Sequence, residues 1–442
     1  MAPPLAPVEI IERSRRGEPV DGESVDSFVR SWLDGTADDA QMAAWCMVAC
    51  LRGLPREQVE ALTRALIASG DRLELASLGP TGDIGSTGGV GDSTAIVAAP
   101  LAAALGVRVA AMGDRALAHT GGTIDKLEAI PGYVAELPLG RFVRQVRDVG
   151  IAVGSQTARL APGDRRLYAL RDATGTVPGA GLIAASLMSK KIAGGAGAVA
   201  LDVQAGGGGF FAAEGEAREA AELMAALAEP WGRTVRWTVS AMDQPLGRCV
   251  GNALEVREAG EVLRGGGSPD LRDLAVRLAA ELAEAAGVVD DGEGTERAAE
   301  ALRSGAALEA AERWVEAQEG DPGVWTDPDA LPVAPVREEV VAGSAGFVRG
   351  IDARAIGEAA RWLGAGRLHA DQSVDPVAGV ELLAKVGAEV AQGQPLAIVH
   401  ARDDWAAERG REMVAGALRV GPEAAAAPEL VLAGGRGGAG AP

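Results

Sequence analysis

Lysine is nearly absent from this 442-residue chain: only Lys126, Lys190, Lys191 and Lys385 stand among its 42 basic side chains, and the rest are arginine. With the excess of Ala and Gly, that skew marks a GC-rich coding sequence. Positive charge is short overall, since 62 acidic residues against 42 basic ones leave a formal net charge of −20. Such a chain has no general attraction for phosphate backbones or anionic lipid, which counts against nucleic-acid and membrane-surface roles. Three cysteines, Cys46, Cys50 and Cys249, are too few for a disulfide scaffold. Cys46 and Cys50 fall in an apolar helical stretch and read as buried thiols in a reducing cytoplasm. Long hydrophobic runs are missing too. The longest, Ala95 to Val107, is broken by Pro100 and Gly106 and is too short to span a bilayer. The N-terminal segment lacks the charged-then-apolar design of an export signal, so a cytoplasmic location is expected. Glycine is plentiful at 61 residues, but without a G-X-Y period, which excludes collagen.

At about 150 residues per domain the length suggests two or three domains. Residues 6–70 carry apolar side chains at three-and-four spacing over Val8–Ser14, Ser24–Trp32, Ala40–Leu51 and Arg56–Ala68, which predicts helices starting at Asp21, Thr36 and Pro55. From 78 onward short apolar runs with glycine turns alternate with helical stretches, the pattern of an α/β domain with a largely parallel sheet. Helical text returns at 163–195, a strand reads at 198–204, and helices read at 212–229, 251–263 and 269–287. Residues 286–296 and 318–332 read as connections. The final GGRGGAGAP, 434–442, is low-complexity and is expected to be a disordered tail.

Three stretches could carry chemistry. GSTGGVGDST (85–94) offers backbone N–H groups on a loop that an anion can approach closely. It is not a Walker loop, because Asp92 follows Gly91 where a lysine would be needed. HTGGTIDKLEAIPGY (119–133) contains His119, Asp125 and Lys126, which suit either acid–base work or the capping and positioning of a helix. In GDRRLYALRDATGTV (163–177) and LIAASLMSKK (182–191), Tyr168 and Arg171 are three apart and Ser186 and Lys190 four apart. Each pair shares a helix face and could meet one planar polar ligand, or could simply be solvated.

Together with DQPLGRCVGNALEVREA (243–259) and KVGAEVAQGQPLAIVHA (385–401), these stretches make the chain resemble the thymidine and pyrimidine-nucleoside phosphorylases over nearly its whole length. The resemblance implies an α/β protein with an all-α domain from 1–70 and 163–194 and a larger α/β domain with a mixed sheet from 75–160 and 195–335. A C-terminal α+β, hammerhead-like part follows at 336–433, with a cleft between the domains and a homodimer as the assembly. It implies that Tyr168, Arg171, Ser186 and Lys190 hold the pyrimidine, and that His119, Phe210, Ser86 and Thr123 join the substrate-binding set. It implies no required cofactor; some family members hold a potassium ion at the positions matching Gly91, Ser93, Leu246, Cys249 and Glu258, where oxygen ligands suit a hard cation, and Glu258 reads equally as a helix-surface carboxylate.

At the phosphate end the chain departs from that family. Where family members read D-K-H-S-T-G-G-V-G-D, this chain has Asp83, Ile84, Gly85 and Ser86. Where they carry K-M-S, it has Ala111, Met112 and Gly113, and a further hydroxyl position holds Ala95. Codon bias turns lysine into arginine, not into Ile84 and Ala111. Each charge-assisted hydrogen bond lost is worth about 1.5–3 kcal/mol, so phosphate binding should fall by two or more orders of magnitude. Asp114, where the family usually has glycine, adds a carboxylate that would repel an anion. Three functions stay open on the sequence. One is glycosyl transfer from a pyrimidine nucleoside to water, a second base or another acceptor, with Asp114 or Asp92 assisting. Another is ordinary phosphorolysis, with phosphate held by backbone N–H groups, Ser86, Thr123 and Arg115. The third is nucleoside binding without turnover.

Overall fold

The computed structural model describes residues 5–116, 118–368 and 372–438. The N-terminal helices span Pro7–Arg16, Gly22–Leu33, Asp39–Arg52 and Arg56–Ala68. Asp21 caps the second by accepting from the Ser24 N–H. The third begins at Asp38 rather than Thr36, because Asp38 and Gln41 form a reciprocal capping box there. Phe28 and Trp45 meet edge to face, 6.1 Å between centroids, inside this bundle. Two further helices complete it, Pro162–Thr174 and Ala180–Ala193, separated by a turn at Gly175.

The α/β part is a six-stranded sheet. Its parallel strands are β1 (Thr81–Ser86), β2 (Arg108–Met112), β3 (Ile151–Gly154), β4 (Ala198–Ala205) and β5 (Thr234–Ala241), in the spatial order β5-β4-β1-β2-β3. Central parallel strands are normally continuous apolar runs, and β4 keeps to that rule as far as Leu201 before burying Asp202 and Gln204. β1 does not: it reads TGDIGS, and its Asp83 is wholly buried. The apolar run after it is a helix, Thr94–Ala104, packed on the sheet.

The tail expectation fails from 434 to 438. Val431–Gly438 forms a strand antiparallel to β5, with Gly434 opposite Thr238 and Gly438 opposite Thr234, and this makes the sheet mixed. Glycine-rich text reads as disorder, yet here the missing side chains admit close neighbours: Trp237 lies where a Gly435 side chain would go. Residues 439–442 lie outside the described residues. The C-terminal part holds two antiparallel sheets and the helices Ala353–Ala360 and Asp404–Ala417. One of those sheets takes in Cys249–Val250, paired with Gly379–Leu382, so the GRCVG turn is stitched to this part. Among the described residues no helix is long and apolar enough to cross a membrane.

Candidate active site

The C-terminal ends of β1 and β2 face the helices Pro162–Thr174 and Ala180–Ala193 across a cleft of about 770 Å³, open to solvent. Ligands of open α/β sheets sit at that strand end, where loops are free to vary. Tyr168, Arg171, Ser186 and Lys190 all line it, as do Ser86, Thr123, Asp114 and Phe210.

The helix-side wall is built on paired charges. Lys190, buried, places its ammonium 2.9 Å from Asp114 and 3.4 Å from Asp164. Burial pushes the Lys190 pKa down, but the two carboxylates outweigh it and hold it above its ordinary value. Burial dominates at Asp164 and raises its carboxyl despite Lys190. Gln156 donates to Asp164 at 2.5 Å and to Asp114 at 3.3 Å, tying the two acids together. The Arg171 guanidinium is fixed by the carbonyls of Thr176, Leu182 and Val177. Burial, reinforced by Asp114 and Asp164, keeps the Tyr168 hydroxyl protonated, and it donates to the Arg115 carbonyl at 2.9 Å, joining the helical wall to the loop after β2.

The opposite end centres on Lys191, which sequence reasoning passed over. Its ammonium donates at 2.8 Å to Asp83 and to the carbonyls of Ile84 and Met112. These three bonds exhaust its donors. Burial lifts the Asp83 carboxyl to about 6 against the pull of Lys191. A side chain on Gly85 would come within 2.6 Å of Lys191 Cε, so the bare glycine is what lets Lys191 reach Asp83. The sequence did not flag it, because β1 does not read as a strand; once β1 is placed, its buried Asp83 demands a partner.

Other candidates sit behind the wall. His119 is buried, bonds the Gly208 carbonyl through Nε2 at 3.1 Å, and meets the Phe210 ring at 5.4 Å, so it touches the cleft only through Phe210. Asp125 and Lys126 do not line the cleft. Asp125 binds Arg115, Arg367 and the Ala116 N–H, while Lys126 binds the Asp92 carbonyl and Glu255. Acid–base work is the reading this overturns for both; they fasten loops. Asp92 lines the cleft, but its carboxylate is taken up by Thr94 and Gln204.

The candidate cation residues converge. Gly91 has φ +73°, and a side chain there would run into the carbonyl oxygens of Leu246 and Cys249. Ser93 Oγ is buried without a hydrogen-bond partner among the described residues. Glu258 is buried beside them, with its oxygens accepting from the Arg248 and Cys249 N–H groups and from Ser268.

Comparison with known proteins agrees with this geometry. Residues 8–70 match the glycosyl transferase family helical bundle domain, 78–308 the glycosyl transferase family a/b domain, and 347–420 the pyrimidine nucleoside phosphorylase C-terminal domain. The pyrimidine-nucleoside phosphorylase of Bacillus subtilis is 42% identical over 398 residues, covering 89% of this chain and 92% of that one. The thymidine phosphorylase of Mesorhizobium japonicum is 40% identical over 432 residues, covering 97% and 98%. The chain belongs to the pyrimidine-nucleoside and thymidine phosphorylase family. Its fold is also that of the anthranilate phosphoribosyltransferase of Thermus thermophilus, with a TM-score of 0.55 at 24% identity, over 70% of this chain and 99% of that one.

The positions read from the sequence as departures from the phosphorylase pattern cluster. Ile84, Ala95 and Gly113 line the cleft, and Ile84, Ala95, Ala111 and Gly113 together line a smaller recess beside it.

Proposed function

We propose that the protein breaks the N-glycosidic bond of a pyrimidine nucleoside and passes the pentosyl group to a neutral acceptor rather than to phosphate. The observation that carries this reading is the charge balance of the cleft. Each cationic side chain lining it already has acid or carbonyl partners: Arg115 with Asp125 and Glu128, Arg171 with three carbonyls, Lys190 with Asp114 and Asp164, and Lys191 with Asp83 and two carbonyls. At Arg171, Lys190 and Lys191, all buried, an incoming oxyanion would compete with these partners at the cost of uncovering a buried charge, whereas Arg115, 38% exposed, pairs with its acids nearer solvent.

In this mechanism the pyrimidine lies against Tyr168, Arg171, Ser186 and Lys190. As the bond from the sugar to N1 lengthens, negative charge grows on the base, and Lys190 and Arg171 stabilise it from fixed positions. Asp114 is the acid suited to accept a proton from the acceptor. Its side chain is a quarter exposed to the cleft, whereas that of Asp92 is held by its neighbours. A potassium ion fits the oxygens of Leu246, Cys249 and Ser93. It would brace the loop around Gly91 against the turn at 246–249.

We further propose a homodimer paired through the face that exposes Val8, Met47 and Leu51, which lie on the packed helices Pro7–Arg16 and Asp39–Arg52.

One second reading is favoured by a specific observation. Ser86 and Thr123 keep their hydroxyls in the cleft beside the glycine loop, and relatives near 40% identity are named phosphorylases. Phosphate could then rest on hydroxyls and backbone N–H groups alone. Calorimetric titration with orthophosphate, with a phosphate-soaked crystal beside it, separates the two. The neutral-acceptor reading expects no measurable uptake and no anion beside Ser86 and Thr123. A bound anion there overturns it.

A further inference from the structure

Lysine persists at only four positions in a chain where arginine otherwise supplies the positive charge. Lys126, Lys190 and Lys191 are buried in or behind the wall of the cleft. Lys385 stands elsewhere, in the C-terminal part, just after the strand Gly379–Leu382. Its ammonium reaches the turn at 244–249. There it donates to the Pro245 carbonyl, to the Gly247 carbonyl at 2.6 Å and to Asp270 at 3.0 Å. Three acceptors around one nitrogen match the three donors of an ammonium, an arrangement that the planar fork of arginine does not reproduce. Asp270 balances the charge and also accepts from the Gly247 N–H at 3.2 Å.

The same turn is held on both sides of this contact. The Val386 N–H donates to the Gln244 side chain at 3.1 Å, and the Leu382 N–H to the Arg248 carbonyl at 2.7 Å. While the carbonyls of Pro245, Gly247 and Arg248 bond the C-terminal part, those of Leu246 and Cys249 lie against Gly91, where only a bare glycine leaves room. The Leu246 N–H donates to the Val90 carbonyl at 2.9 Å, which bonds the turn to the glycine loop. Gly88 and Asp92, on either side of that bond, line the cleft. Resting on the potassium reading above, we propose that Lys385 is a positioning residue for the cation site. By pinning Pro245 and Gly247 it turns the Leu246 carbonyl between them, together with that of Cys249, towards a cation beside Gly91 and Ser93. Partners behind the ligands of a metal fix the direction of those ligands in the same way. Lys385 does not line the cleft, so its influence on the reaction passes through the glycine loop.

The test is thermal unfolding of the whole chain in increasing potassium chloride, with choline chloride keeping the ionic strength constant. The Tm of the wild type should rise with potassium and level off, which defines a half-saturating concentration. Lys385→Met should raise that concentration about 10-fold to 100-fold. Lys385→Arg, which keeps the charge but not the geometry, should raise it as well, and it decides alone if Lys385→Met does not fold. Val414→Ala, a cavity variant in the core of the C-terminal part, should lower Tm at every potassium concentration and leave the half-saturating value where it was. An unchanged half-saturating value in the Lys385 variants, or an equal shift in Val414→Ala, overturns the role of Lys385 and leaves the potassium reading standing. A wild type whose Tm responds no differently to potassium than to choline overturns both.

Discussion

The Lys190 ammonium and the Asp114 carboxylate meet at 2.9 Å across the cleft, one from the helical domain and one from the loop that follows β2. Asp114 thereby sets an acid against Lys190, the cation that the proposed reading turns towards the leaving base. The contact binds together the two walls that must hold the nucleoside between them. On the proposed reading it also supplies the proton acceptor for the transfer step.

Asp114→Asn tests that role. Loss of a general base typically costs about 100-fold or more in rate. We expect kcat for base release to fall by that order with little change in KM, in a protein whose circular dichroism is unaltered. A variant that keeps its kcat would remove Asp114 from the mechanism.

Lys191 and Asp83 give a stability prediction. Both are wholly buried, and removing one partner strands the other's charge, a loss of about 3–5 kcal/mol. Asp83→Asn should therefore lower the urea midpoint markedly. Asp83→Asn combined with Lys191→Met should recover much of the loss, because the stranded ammonium is gone. Equal destabilisation in the single and double variants would contradict the pairing.

Much of this was legible before the structure, and the limits have physical causes. The N-terminal helices, and the shared faces of Tyr168–Arg171 and Ser186–Lys190, follow from helical period, while the family resemblance pointed to one site; the structure brings all four side chains to one cleft. β1 was hidden because its buried face is glycine and aspartate, and the sign that it is a strand, the Lys191 partner, lies over a hundred residues away. The strand Val431–Gly438 was hidden because glycine can mean either disorder or room for a neighbour, and only Trp237 settles which. Gln156 and Asp164 carried no signal at all, since their work is to hold Lys190 and Asp114 rather than to form a motif.

The phosphate end can be rebuilt. Placing a cation and a hydroxyl back with Ile84→Lys and Ala95→Ser should raise phosphate-dependent sugar 1-phosphate formation about 10-fold to 100-fold, the worth of one or two charge-assisted contacts. Mass analysis of the sugar product checks it. No gain in a folded variant would mean that these positions are not what limits phosphate.

His119 supplies a pH dependence. Burial, opposed in part by the Gly208 carbonyl, lowers its pKa from the ordinary 6.5. Below that pH the unfolded chain takes up a proton that the native state refuses. The contribution is therefore complete above about pH 6.5 and is lost as the pH falls from there towards the lowered native value. His119→Asn should show a shallower drop in Tm between neutral and mildly acidic buffer than the wild type. Parallel profiles would show that His119 does not titrate in this window.

The most direct measurement of the central claim is product analysis with and without orthophosphate. Purified protein is incubated with thymidine, deoxyuridine, uridine and cytidine, and the sugar released is weighed by mass spectrometry. The account predicts free or acceptor-linked pentose, formed equally well in phosphate-free buffer. Sugar 1-phosphate, appearing only when phosphate is supplied, would contradict it.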